Sequence, residues 1–100
     1  MAVKLLMTWN ILSGREQEYF EFMVRDFVPG MQRLGMEASD AWYTMYGDHP
    51  QILAVTLMPS LDDFQKLIVS TEWKDLTGRL LDYVENFEYK VVQARSGFQM

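Results

Sequence analysis

Cysteine is absent from the chain, which removes disulfides, thiolate zinc sites and cysteine nucleophiles together. Histidine occurs once, as His49, so a histidine-rich metal site within one chain is excluded. A serine-histidine-aspartate triad would have to recruit that one residue, and no Gly-x-Ser-x-Gly elbow is present. No phosphate-binding glycine loop occurs either: Gly30 and Gly35 are wrongly spaced and sit at the wrong end of a helix. Basic residues are few and scattered. Lys plus Arg number 9 against 14 Asp plus Glu, the net charge is −5 and the pI is about 4.7. Nucleic acid demands clustered Lys and Arg, so it is not expected as a partner. No apolar run approaches the roughly 20 residues of a membrane span. Met1-Ala2-Val3-Lys4 puts no basic region ahead of a long apolar run, so a leader is not expected. A soluble, cytoplasmic protein without membrane contact is the expectation.

What is present suffices for a core. The 100 residues are 49% hydrophobic and 14% aromatic, which predicts a single domain over 1–100. A chain of this size buries roughly 65% of its unfolded surface. Residues 3–11 (VKLLMTWNI) read as a strand. Ser13-Gly14 breaks it, and Phe20, Met23, Val24 and Phe27 then recur at helical spacing. Pro29-Gly30 should kink or end that helix, but Met31, Leu34 and a terminal Gly35 fit a resumed turn with a glycine cap, giving one kinked helix over about 14–34. Strands are predicted over 37–47 and 51–58, joined by the turn cluster Gly47-Asp48-His49-Pro50. Ser60 caps a short helix with Asp63 three residues on, and Leu61, Phe64, Leu67 and Ile68 line one face of it. A further helix carries Trp73, Leu76, Leu80, Leu81 and Val84, and 87–95 forms the last strand. This β-α-β-β-α-(α)-β order is the ferredoxin-like split βαβ pattern, an α+β fold with a four-stranded antiparallel sheet.

Helices in such a fold cover one face of the sheet. The strands are nevertheless apolar on both: Lys4 is the only charge from Ala2 to Gly14, and none occurs from His49 to Leu61. A wet face should alternate with polar residues. A second copy of the same sheet, related by a two-fold axis, is the simplest cover, and a homodimer is expected. His49 reads as an exposed turn residue, and Asp62-Asp63 as acid placed where a helix N-terminus favours it. The aromatics Trp9, Trp42, Tyr43, Tyr46, Trp73 and Tyr83 exceed what a minimal core needs. They either fill the core and interface or line a binding cleft.

Three stretches carry a resemblance: Thr8-Trp9-Asn10 with Gly14, the hairpin Trp42-Tyr43-Thr44-Met45-Tyr46-Gly47-Asp48, and Ser70-Thr71-Glu72-Trp73. With the element order, they resemble the dimeric α+β barrel superfamily along essentially the whole chain, and most closely its small uncharacterised bacterial members. The resemblance implies pairing through the open sheet face into a barrel. It also implies a cleft between sheet and helices, for which Trp9, Asn10, Trp42, Tyr43 and Trp73 are the candidate lining, open to a small apolar or aromatic molecule. The superfamily includes cofactor-independent monooxygenases acting on aromatic substrates, so a monooxygenase-like enzyme is the alternative. In its haem-degrading branch an Asn on the first strand and a Trp on a helix act with an axial His on a helix. Asn10 and Trp73 are of the right type, but no histidine follows His49 and none lies on a predicted helix. No cofactor and no metal is therefore expected.

Overall fold

A computed structural model describes residues 2–43 and 52–93. The first strand, β1 (Val3–Ile11), alternates without a break between buried and half-buried residues. Its odd positions, Val3, Leu5, Met7, Trp9 and Ile11, point into the core, and Leu5 and Met7 are wholly buried. Its even positions, Lys4, Leu6, Thr8 and Asn10, occupy the opposite face. Successive side chains of a strand project to opposite sides, so this one strand defines both faces of the sheet.

The helical layer begins with α1 (Glu16–Phe22) and runs through a π-helical turn (Met23–Phe27) into α2 (Val28–Arg33). The Val28 N–H donates to the Met23 carbonyl, five residues back. Widening at this point has a local cause. Pro29 lacks an N–H, and in an α-helix its ring would strike the carbonyl four residues earlier. The helix therefore neither ends nor breaks at Pro29-Gly30; the strain is taken up in the turn before it. Gly30 serves a packing role, since a Cβ there would lie 2.9 Å from the tip of Leu76. Gly35, at φ +85°, ends α2: its N–H donates to the Gln32 carbonyl and that of Met36 to Met31, a Schellman closure.

Strands β2 (Glu37–Tyr43) and β3 (Ile52–Met58) follow, then α3 (Leu61–Ile68), α4 (Thr71–Leu80) and β4 (Val84–Gln93). The sheet order is β2-β3-β1-β4, with every neighbouring pair antiparallel. Both crossovers pass over the same face, as in a ferredoxin-like α+β fold. The turn Gly47–Pro50, including His49, and the tail from Ala94 onward lie outside the described residues.

Several sequence expectations shift. Leu61 and Leu81 were assigned to buried faces, yet they are 49% and 52% exposed. Each sits at a helix end, where the stripe has already turned toward solvent. Val84 continues the helical spacing of Leu76 and Leu80 but belongs to β4, which starts three residues earlier than its pattern suggests. The cause is a bulge. The β1–β4 register slips between Thr8 and Asn10, and Asn86 takes φ 58°. Asparagine tolerates that left-handed conformation better than most residues, and the bulge scrambles the alternation that would mark the strand.

Serine caps fix the second helical layer. The Ser60 Oγ accepts from the Asp63 N–H at 3.1 Å and donates to the Asp63 carboxylate at 3.1 Å. The Ser70 Oγ accepts from the Trp73 N–H at 3.2 Å and donates to the Leu67 carbonyl at 2.7 Å, joining the end of α3 to the start of α4. Replacing an N-cap serine by alanine typically costs about 1 kcal/mol. Ser70→Ala, which also strips a partner from Leu67, is expected to lose at least about that much, read as a lower urea midpoint at unchanged m-value.

Candidate functional site

Of the five residues read as a cleft lining, Trp9 and Trp73 lie on the helix side of the sheet. Trp9 is 1% exposed and Trp73 5%. The Trp9 indole N–H donates to the Tyr19 hydroxyl at 2.9 Å, which satisfies a buried donor. Its ring meets Tyr19 and Phe27 edge-on, at centroid distances of 6.5 and 6.1 Å, and stacks on Phe87 at 6.0 Å and 28°. Phe27 in turn contacts Trp73 at 6.4 Å. The two tryptophans thus flank one phenylalanine in a packed aromatic layer.

Asn10 is not brought together with them. It follows Trp9 on a regular strand and therefore occupies the open face, in register with Glu85. Trp42 and Tyr43 pair in register with Leu53 and Ile52. The resemblance and residue type put Asn10 and Trp73 in one cleft, but neither could reveal that the sheet runs between them.

The open face carries a hollow of about 470 Å³ lined by Leu6, Thr8, Leu53, Glu88, Tyr89 and Lys90. Ligand sites typically measure about 300–1,000 Å³ and combine apolar walls with a few polar groups. Here Leu6 and Leu53 supply the apolar floor. The Thr8 hydroxyl, Glu88 carboxylate and Lys90 ammonium offer an acceptor, a negative charge and a positive charge. Of these only Thr8 stood in a stretch quoted from the sequence, and none was read as a lining residue. The signal was present in Lys4-x-Leu6-x-Thr8-x-Asn10, an amphipathic series on the even positions of a strand read as apolar on both sides.

A second hollow, of about 370 Å³, lies between the end of α2 and α3, lined by residues that include Met58, Asp63, Lys66 and Ser70. Its serine and aspartate already serve the helix caps. Arg79 binds Asp26 at 2.9 Å and lies 5.2 Å over the Phe22 ring, tying α4 to the π turn. Among the described residues no group of three His, Asp or Glu side chains is placed to hold a metal ion. Among them too, no helix is long and apolar enough to cross a membrane.

Two buried hydroxyls yield predictions of opposite sign. Tyr19→Phe removes the acceptor of the Trp9 indole, and an orphaned buried donor costs about 1–3 kcal/mol. A loss in that range is expected, with a shift in tryptophan emission. Thr56, 1% exposed between Leu5 and Ala38 in the sheet register, has no partner for its hydroxyl among the described residues. Thr56→Val keeps the shape and removes the orphan, so chemical denaturation should show stability unchanged or raised by about 1 kcal/mol.

No family model matches the chain, and no curated protein does. Solved structures do. The fold is similar to that of a NIPSNAP family protein from Agrobacterium tumefaciens, at 19% identity and TM-score 0.71, over 96% of this chain and 95% of that one. It is similar to an uncharacterized NIPSNAP domain protein from Burkholderia xenovorans, at 13% identity and TM-score 0.68, over 100% of each chain. A Bacteroides fragilis protein, described as dimeric, of unknown function and ferredoxin-like, aligns at 14% identity and TM-score 0.64 over 93% of this chain and 96% of that one. At such identities the likeness speaks to architecture: the chain has a ferredoxin-like α+β fold, shared with uncharacterised bacterial proteins.

Proposed function

We propose that the protein works as a homodimer whose open sheet faces meet, and that the hollow between them binds a small apolar or aromatic molecule. The observation that carries the reading is the composition of that face. Leu6, Leu53, Val55 and Leu57 form its centre, on the side the helices leave bare, with charges around them at Lys4, at Glu85, Glu88 and Lys90 along β4, and at the register positions of Glu37 and Asp40 along β2. Covering a leucine is worth about 1.5–3 kcal/mol, so several facing their copies suffice for association. The ferredoxin-like Bacteroides fragilis neighbour is described as dimeric, which supports the same arrangement here.

Enclosure by a second copy turns an open hollow into a site. Leu6 and Leu53 then contact an apolar ligand from one side, while Thr8, Glu88 and Lys90 offer polar handles at its margin. Trp42 stands in register beside Leu53, and Asn10 lies two residues beyond Thr8 on the same face. Trp9 and Trp73 form a rigid backing layer behind the sheet. The haem-degrading combination of Asn10 with Trp73 draws no support from the geometry, because the two lie on opposite sides of the sheet.

Leu6→Asp tests the reading. A carboxylate at the centre of an apolar contact loses the leucine's burial and adds an uncompensated charge, together about 3 kcal/mol or more. Sedimentation velocity should show loss of the face-to-face contact, with far-UV circular dichroism unchanged. Aromatic compounds that raise the melting temperature of the wild type should leave Leu6→Asp unmoved. A variant that associates and binds as the wild type does would overturn the proposal.

A further inference from the structure

Among the described residues β4 is an edge of the sheet, bonded to β1 on one side only. Its other side is a row of backbone groups with no described strand beside it, and which residues own them follows from the register. The Leu12 N–H donates to the Tyr83 carbonyl at 2.9 Å, just past the end of the ladder. Backbone groups alternate sides along a strand, so the even residues of β1 aim theirs at β4. Their partners Glu88, Lys90 and Val92 aim back at β1. Phe87, Tyr89 and Val91 therefore present their N–H and C=O groups outward.

We propose that this edge pairs with the same edge of a second copy, antiparallel, about a two-fold axis at Tyr89. That register sets outward groups against outward groups, with Tyr89 opposite Tyr89 and Phe87 opposite Val91. It also sets Glu88 opposite Lys90 twice over, on the open face of a sheet continuous through both copies. Opposite charges directly across a strand pair stabilise it, and like charges destabilise it. Neighbouring registers fail on that rule. An axis at Glu88 puts Glu88 against Glu88, and an axis at Lys90 puts Lys90 against Lys90. Charges on an edge strand ordinarily keep other strands away; these two pair with each other in the alignment about Tyr89. The bulge at Asn86 bounds the regular segment on one side. On the helix side the pairing covers Phe87 and Val91, both partly buried against the core, and Tyr89, 49% exposed. This contact is distinct from the face-to-face one, and the two together close into a tetramer where their two-fold axes cross at right angles.

Tyr89→Pro is the decisive variant. Proline removes an outward N–H that the chain's own sheet does not use, and edge strands accept it there. Native mass spectrometry and sedimentation velocity on the wild type, Tyr89→Pro and Leu6→Asp separate the contacts. The expected results are a tetrameric wild type and a dimer for each variant, one held by faces and the other by edges. Should the wild type be a dimer that Tyr89→Pro splits and Leu6→Asp does not, the edge contact stands and the face-to-face reading falls. A folded Tyr89→Pro that assembles like the wild type overturns the edge contact. If Tyr89→Pro does not fold, charge reversal decides. Glu88→Lys and Lys90→Glu should each break the contact, and the double reversal should restore it; single reversals that assemble like the wild type overturn it.

Discussion

The structure depends on how Trp9 is held. It sits at a core position of β1, a strand flanked on both sides within the sheet, and it touches the helical layer and β4. Tyr19 from α1 accepts its indole proton, Phe27 from the π turn meets its ring edge-on, and Phe87 from β4 stacks on its face. Aromatic pairs of this kind contribute about 0.5–1.5 kcal/mol each beyond their burial. Two irregularities that look like defects belong to this arrangement. The bulge at Asn86 falls where β4 passes Trp9 and precedes the residue that stacks there. The widened turn that accommodates Pro29 carries Phe27, which is wholly buried between Trp9 and Trp73.

Because β1 alternates strictly, a rigid core on one side entails a distinct chemistry on the other. The odd positions are apolar and closed. The even positions mix lysine, leucine, threonine and asparagine, a composition neither as polar as a wet face nor as apolar as a core. Such a face suits contact with a partner that is itself mixed, apolar at the centre and polar at the rim. The proposed ligand hollow and the proposed face-to-face contact therefore share one physical origin.

How far the sequence was legible follows from which signals were local. Gly35 could be read as a helix terminus because a left-handed cap asks for glycine wherever it occurs. Ser60 with Asp63 could be read as a cap because its partners are three residues apart. The ferredoxin-like order followed from periodicity alone. What could not be read depended on partners distant in the chain. Leu61 and Leu81 continue apolar stripes, and only the position of the sheet decides that they face out. Val84 matches both a helical and an extended pattern, and a bulge opposite Trp9 decides between them. For the candidate site the difficulty was parity. Trp9 and Asn10 are neighbours in sequence and lie on opposite faces of the sheet, so a lining assembled by residue type alone mixed two sides of one wall.

Charge supplies the remaining step. The chain carries a net −5, and two copies repel at long range, though screening confines that to about 8 Å at physiological ionic strength. Association must therefore use surfaces from which the acidic surplus is withdrawn. Much of that surplus lies on the helices, in Glu16, Glu18 and Glu21 of α1, Asp62 and Asp63 of α3, and Glu72 and Asp75 of α4. Along β1 and β4, by contrast, Lys4 and Lys90 stand against Glu85 and Glu88. The helices carry eight acidic against five basic residues and so a net negative charge, while the bare face and free edge of the sheet carry both signs around an apolar centre. Both proposed contacts use the sheet, where the charges of both signs surround apolar residues, and leave the helical side in water.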